Sequence, residues 1–339
     1  MTIKSSIKLV LLIFSCTLLG CKTYQTFPNY SFKSIQTCPG TEDMELFEFD
    51  NQFYILVSGA ERRKEKKDSW FYLIDTQTDH ARELSIENLP DSIHLDLHGL
   101  TIEKIKDIVY VYAIDHGPGE NWHQIVRFII KDLSLHFDQV ITAPDFLINP
   151  NDLDVDCHGN IFVTNYLGKG KAIWQYLFNT KKSTVVKYSV DLKKWEFLID
   201  KIAYANGVYV TDSILYVATT RMKGLYAYPQ TESSQKKIWK GREGNLIAAI
   251  KGLDNLLPFD DKLYTTAHPS FIKFVGHVKT SEKKSPSQVW SIDLKTHEKK
   301  LVYQDDGHKI SAASTALRFG NKIYIGQIFD PFVGVLSLD

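Results

Sequence analysis

What most limits the fold of this 339-residue chain is a unit that recurs: an apolar run, a tight polar turn and a second apolar run. The six copies read "LFEFDNQFYILVSG", "LTIEKIKDIVYVYAIDHG", "LDVDCHGNIFVTN", "GVYVTDSILYVATT", "LLPFDDKLYTTAHP" and "ALRFGNKIYIGQIF". Each is an antiparallel hairpin candidate, and several turns carry residues that tolerate positive φ. At one phase of each unit stand Glu42-Asp43, His98-Gly99, Asn151-Asp152, Asn206-Gly207, Asp254-Asn255 and Thr315-Ala316, separated by 56, 53, 55, 48 and 61 residues. Second hairpins such as "SQVWSIDLKTHEKKLVY" bring each unit to four strands. A period of roughly 50 residues with four strands per unit marks a β-propeller blade, so the expected fold is an all-β, six-bladed propeller. Innermost strands line the axis of such a fold, and residues at one phase converge there. Five of the six markers are carboxylate, amide or imidazole, which predicts a polar ring around a tunnel.

Composition allows this and excludes other classes. The chain is 44% hydrophobic and 24% charged, ample for a sizeable core, and its 40 basic and 40 acidic residues cancel. No basic excess advertises a nucleic-acid partner. Lys4 and Lys8 precede the run "LVLLIFSCTLLGC", too short to span a bilayer and shaped like a secretory signal. Its end, "LLGC" at 18–21, resembles a bacterial lipobox, with a plain signal peptide as the alternative. The expectation is an exported lipoprotein held at a membrane by acyl chains on Cys21. Residues 1–21 then form the leader, 22–37 a linker and 38–339 one propeller domain. Only Cys38 and Cys157 remain in the folded part, and no CxxC supports a thiolate zinc site.

Glu42, Asn151, Asn206, Asp254 and Asn255 would bring about five oxygen donors from four blades together, with Asp43 and Asp152 beside two of them. Hard oxygen donors in that number, part charged and part amide, suit calcium better than zinc or magnesium. Asn, Asp and Gly at strand starts also serve simply as turn residues, and that reading stays open here.

On these residues the chain resembles the calcium-dependent paraoxonase/arylesterase family, six-bladed propellers that hydrolyse lactones and aryl esters. The resemblance covers about residues 40–335 and rests on "EDMEL", "LHGL", "DHG", "NDLDV", "ANGV", "LDNL" and "AHPSF", in the family's order. It implies a catalytic calcium on Glu42, Asn151, Asn206, Asp254 and Asn255, and a structural calcium on Asp43, Asp152 and the main-chain carbonyl of Leu100. It also implies that His98, assisted by His116, deprotonates a water while calcium polarises the carbonyl, and that His268 lines the pocket. No G-x-S-x-G elbow occurs, consistent with a water nucleophile. His94 and His123 read as surface or turn residues.

The chain departs from the family in places. Thr164-Asn165 runs into Tyr166-Leu167 where the family has Asp-His, which leaves substrate range open. "AERRKEKKD" reads as a solvated loop, and Cys38 has no partner in "FDPFVGVLSLD", so closure of the ring falls to N-terminal strands such as "FYILVSG" pairing with C-terminal ones. "GKGK" at 168–171 lacks the [ST] of a phosphate loop and is not expected to precede a helix. The expected function is hydrolysis of a small lactone or ester with two calcium ions. A gluconolactonase-type propeller is a related reading. The alternative of another class is a non-catalytic, calcium-stabilised propeller that binds a ligand or protein.

Overall fold

The computed structural model describes residues 30–64, 68–117, 122–170, 172–229 and 244–338; the leader expected at 1–21, Cys21 included, lies outside them. Six sheets stand in a ring, five of four strands and one of five, with neighbouring strands antiparallel apart from one short parallel pairing at a rim. This is the six-bladed propeller expected from the spacing. The innermost strands of blades I to VI are Thr41–Phe49, Leu97–Ile105, Pro150–Val155, Ala205–Val210, Leu253–Phe259 and Ala313–Phe319, and each lies against its neighbours around the axis.

The apolar interior is divided into six clusters, one between each pair of neighbouring blades. Between blades I and II, for example, Leu56 and Phe71 pack on Leu100, Val111 and Phe128. Period-2 strands offer one apolar face to each side, so every blade is glued on both faces and no face is left for solvent.

Closure differs from the expectation. "FYILVSG" is the second strand of blade I, inside Gln52–Ala60, and does not meet the C-terminus. Ser31–Gln36 instead pairs antiparallel with Phe332–Ser337, from Ser31 opposite Ser337 to Gln36 opposite Phe332, and forms the outermost strand of blade VI. Part of the stretch taken as a linker over 22–37 is therefore a strand of the ring. The C-terminal stretch supplies only three strands of blade VI, and the fourth comes from the other end of the chain, so the pairing completes the blade and ties the two ends of the ring together.

One irregularity repeats in all six inner hairpins. In blade I, Thr41 pairs with Gly59 and Asp43 with Ser58, which leaves Glu42 unopposed. In blades II to V the ladder skips His98-Gly99, Asn151-Asp152, Asn206-Gly207 and Asp254-Asn255. Each skipped pair is one of the sequence markers, freed from the ladder by a bulge that re-aims its side chains. In blade VI the skipped pair is Ser314-Thr315, one residue before the expected marker, because no carboxylate, amide or imidazole signals the phase there. Gly99 and Gly207 have a steric reason as well. A Cβ on Gly99 would lie 2.6 Å from the Asn151 carbonyl oxygen, and one on Gly207 2.6 Å from that of Asp254, so the bulges approach the next blade too closely for any side chain.

The closing strand yields a test. Ile35, 6% exposed, packs with Met44, Tyr324 and Val333. Ile35→Ala should lower unfolding free energy by about 2–4 kcal/mol, read as a shifted urea midpoint; a change within error would mean that the ring holds without this strand.

Candidate functional site

The bulges deliver their side chains to the upper end of the tunnel. A cavity of about 520 Å³ is lined there by Glu42, Asn151, Asn206 and Asp254, together with His98, Arg62 and His268. Asn255 lies at the same level, its Nδ2 donating to Glu42 O and Oε1 at 3.3 Å. The five residues expected to hold one ion are thus brought together, all 7% exposed or less.

Their hydrogen bonds are one-sided. Asn206 Nδ2 donates to Thr220 Oγ1 at 3.1 Å, and Asn151 Nδ2 lies 3.1 Å from His98 Nε2. The buried oxygens Glu42 Oε2, Asn151 Oδ1, Asn206 Oδ1 and Asn255 Oδ1 have no donor. Each such acceptor costs about 1–3 kcal/mol if left unmet, and four from four blades, three amides and one carboxylate, in one small region suit a positive ion. Among the described residues no group of three or more His, Cys, Asp or Glu could hold a metal. The set here is of another kind, three amides with two carboxylates, and its chemistry fits a hard cation such as the calcium expected above.

The lower set is arranged differently. Asp43 accepts from the backbone N–H of Met44 at 2.9 Å and of Leu100 at 2.9 Å, and Asp152 from those of Leu153 and Val208, both at 2.8 Å. Leu100 thus meets Asp43 through its N–H. Asp43, Asp152 and Leu100 line a second cavity of about 290 Å³ at the other end, where Glu45, Glu103 and Asp154 add acidity.

Concentrating these buried carboxylates in one channel disfavours their charge. Burial, helped by the neighbouring Asp43, pushes Glu42 and Asp152 well above the usual carboxylate range. Burial raises Asp43 to about 7, against the pull of the Leu100 and Met44 amides.

The loop read as solvated turns two arginines inward instead. Arg62 donates to the carbonyls of Gly40 and Ala60 at 3.1 Å and of Leu97 at 3.0 Å, and its Nη2 lies 3.4 Å from His98 Nδ1. Arg63 lies 4.0 Å over the Phe329 ring and donates to the His277 carbonyl at 2.7 Å. His277 belongs to helix α2, Phe271–Lys279, which follows α1, Ala172–Phe178, in the chain. Phe271, Phe274, Val275 and Val278 of α2 wall the cavity, so Arg63 ties that wall to blade I. The acidic ring, with Glu42 and Asp254, explains why Arg62 folds in, whereas Arg63 is drawn to Asp330 and Glu61 and to the Phe329 ring. Helix α1 also corrects the expectation that no helix follows "GKGK"; Gly168 N–H is taken by Gln175 Oε1 at 3.0 Å rather than offered to a phosphate.

His98 stands at the ring itself, with Nε2 3.6 Å from Glu42 Oε1. His116 packs edge-on against it at 4.9 Å between centroids. His123 is no bystander: its Nδ1 lies 2.9 Å from His116 Nδ1. His94 is exposed, as expected. His268 Nε2 binds Asp254 Oδ2 at 2.7 Å, and its ring stacks on Phe274 at 4.3 Å. Tyr166, where the family's polar pair would stand, faces Tyr204 with 5.2 Å between rings. Tyr204 is held in the left-handed region at φ 57°, uncommon for a bulky residue, immediately ahead of the blade IV bulge. Arg62, His123 and Tyr204 were missed from sequence, and only the "DHG"–His123 proximity in the chain hinted at any of them.

A family model described as Arylesterase matches residues 59–333. Among solved structures, the PQQ-bound aldose sugar dehydrogenase of Streptomyces coelicolor is 13% identical with a TM-score of 0.55, covering 92% of this chain and 99% of that one. A candidate gluconolactonase is 11% identical with a TM-score of 0.57, covering 93% and 97%. At such identities these two share the fold. Among curated proteins, the DNA polymerase II large subunit of Nanoarchaeum equitans (strain Kin4-M) is 24% identical over 168 residues. That is 48% of this chain, which spans only 12% of that relative's length.

The raised carboxylates set the sign of a pH effect. Between the ordinary 3.8 of Asp43 and its folded value of about 7, the metal-free native state holds a proton that the unfolded chain has lost, so stability falls as pH rises through that window. Glu42 and Asp152 act in the same direction. Asp75 and Asp79, whose carboxyls are lowered by hydrogen bonds, titrate below the window. Chelated protein should therefore melt at a higher temperature at the acidic end of the window than just above it, and added calcium should raise the melting temperature most above it. A chelated protein that gains stability with rising pH there would refute this account.

Proposed function

The chain belongs to the Arylesterase family, and from that membership and the chemistry of the cavity we propose that it is a calcium-dependent hydrolase of lactones or aryl esters. The observation that carries the proposal is the set of four buried, donorless oxygens on Glu42, Asn151, Asn206 and Asn255 beside an imidazole. Those residues and Asp254 would hold the catalytic ion, and Asp43, Asp152 and the Leu100 carbonyl a structural one. When bound, the catalytic calcium supplies Lewis-acid polarisation of the substrate carbonyl.

The chain's own groups do the rest. His98 takes a proton from water, whose oxygen forms the new bond to the carbonyl carbon while the bond to the leaving oxygen breaks. Imidazole suits this role because its two protonation states interchange near neutrality. His116, packed against His98, assists it. Arg62 fixes the strand start and ring of His98 through its bonds to the Leu97 carbonyl and to Nδ1. The wall of Tyr166, Tyr204, Phe271, Phe274 and Phe329 offers apolar area to an aryl or alkyl group and sheds water from the reacting atoms. His268, anchored on Asp254, lines the same pocket.

Export and lipid anchoring at Cys21 belong to the proposal as well, supported by the lysine-flanked apolar run that ends in "LLGC". An acyl-anchored chain would place the hydrolase on a bacterial membrane surface, periplasmic or outer, without spanning it. Among the described residues no helix is long and apolar enough to cross a membrane.

Hydrolysis of phenyl acetate and of γ- and δ-lactones should require calcium and cease on chelation. His98→Gln with the ion retained should lower kcat by roughly 10²–10⁴-fold, the usual contribution of a general base. Activity that survives chelation, or that is indifferent to His98→Gln, would overturn the mechanism. A folded, calcium-loaded protein inert to all these substrates would point to a binding module instead.

A further inference from the structure

We propose that His123 is a positioning and proton-exporting residue of this hydrolase, the outer member of a three-imidazole file that runs from His98 through His116 to the surface. The inference rests on the hydrolytic reading above. His98 and His116 lie 4.9 Å apart between ring centroids, edge to face, and His116 and His123 repeat that distance and arrangement. The Nδ1 atoms of His116 and His123 are 2.9 Å apart, which requires one to donate and the other to accept, so a proton is already shared along that line. His98 stands at the donorless oxygens; all three rings are half-buried, and Trp122, next to His123 in the chain, is 58% exposed.

The file is built, not incidental. Asp115, fully buried, accepts through Oδ1 from the backbone N–H of Asp96 at 2.7 Å and of Gly117 at 3.0 Å, and through Oδ2 from Gln124 Nε2 at 2.7 Å. Those partners stand two residues before His98, directly after His116 and directly after His123. The His116 N–H completes the node by donating to the Asp96 carbonyl at 2.9 Å. One carboxylate therefore fixes the backbone near His98 and beside His116, and holds the Gln124 side chain next to His123.

The reaction supplies the need. An ester and a water yield an alcohol and a carboxylic acid. One water proton ends on the leaving oxygen, and the acid's proton is released near neutral pH as the carboxylate forms. Each turnover thus leaves one net proton in a cavity walled by aromatic side chains and floored by buried carboxylates. Passage through an imidazole places a proton on one ring nitrogen and releases another from the second nitrogen. His116, with Nδ1 toward His123, hands the proton outward, and His123 gives it to water or buffer. No oxidant or further reactant is involved.

His123→Gln removes the outer ring. In weakly buffered medium, phenyl acetate turnover by the calcium-loaded full chain should show kcat reduced by roughly 3- to 10-fold with KM unchanged, a small part of the usual general acid–base contribution. Free imidazole should restore it. Melting temperature and calcium affinity by titration calorimetry verify fold and ion, and His123→Phe, which keeps a ring, replaces the variant if Gln unfolds it. An unchanged kcat, or a loss that imidazole fails to restore, overturns the export role while leaving the hydrolase intact. No hydrolysis by the wild type overturns both.

Discussion

The structure turns on a ring of buried oxygens that cannot satisfy one another. Glu42, Asn151, Asn206 and Asn255 each direct an oxygen to a place with no protein donor, while the carboxylates of Asp43, Asp152 and Asp254 crowd the same channel. A globular core tolerates such a set only if something positive answers it or if it stays rigid without an answer. The six apolar clusters between blades provide the rigidity, since none of the inner strands can withdraw from the axis without opening two of them. The bulge in every inner hairpin provides the aim, turning the marker residues out of the ladder and into the channel.

The two ends of the channel answer the same charge in opposite ways. Below, backbone N–H groups hold Asp43 and Asp152, and Asp154 repeats the pattern with the N–H groups of Val155 at 2.8 Å and Val210 at 2.7 Å. That end is acidic and favours the approach of a cation. Above, aromatic and aliphatic side chains form the wall, and the charge is met by Arg62, whose proximity to Glu42 offsets the cost of burying a guanidinium. An ion placed between the ends would have a polar floor and an apolar roof, an arrangement that suits a substrate with one polarised carbonyl and an otherwise apolar body.

The spacing of the markers made the fold and most of the ring legible, because a propeller converts one sequence phase into one radial position. Glu42, His98, Asn151, Asn206 and Asp254 were readable for that reason, and the unpaired pair of blade VI was misplaced by one residue because Ser314 and Thr315 carry no such signature. Features outside the repeat were not legible. Ser31–Gln36 is short, and its partner Phe332–Ser337 lies at the other end of the chain, so no local pattern links them. Arg62 sits in a charged run whose composition describes solvent, yet its side chain is drawn inward by the Gly40, Ala60 and Leu97 carbonyls and by the acidic ring. His123 follows a loop, where periodicity carries no direction, and it meets His116 because the ladder sets Asp115 opposite Gln124, a register the sequence does not announce.

His98 occupies in blade II the bulge position that Asn151, Asn206 and Asp254 occupy in blades III, IV and V. The proposed base and the proposed ion ligands are therefore set by one backbone device rather than by separate loops, and their spacing is governed by blade geometry. Close contact enforces it: Gly99, beside His98, passes so near the Asn151 and Asp152 backbone that a single methyl would part the two blades. Such close packing leaves little play for proton traffic at His98, so exchange with solvent falls to groups mounted on the blade's outer connection, where His116 and His123 stand. Rigidity at the ring and exchange at the rim are two consequences of putting the base on the repeat.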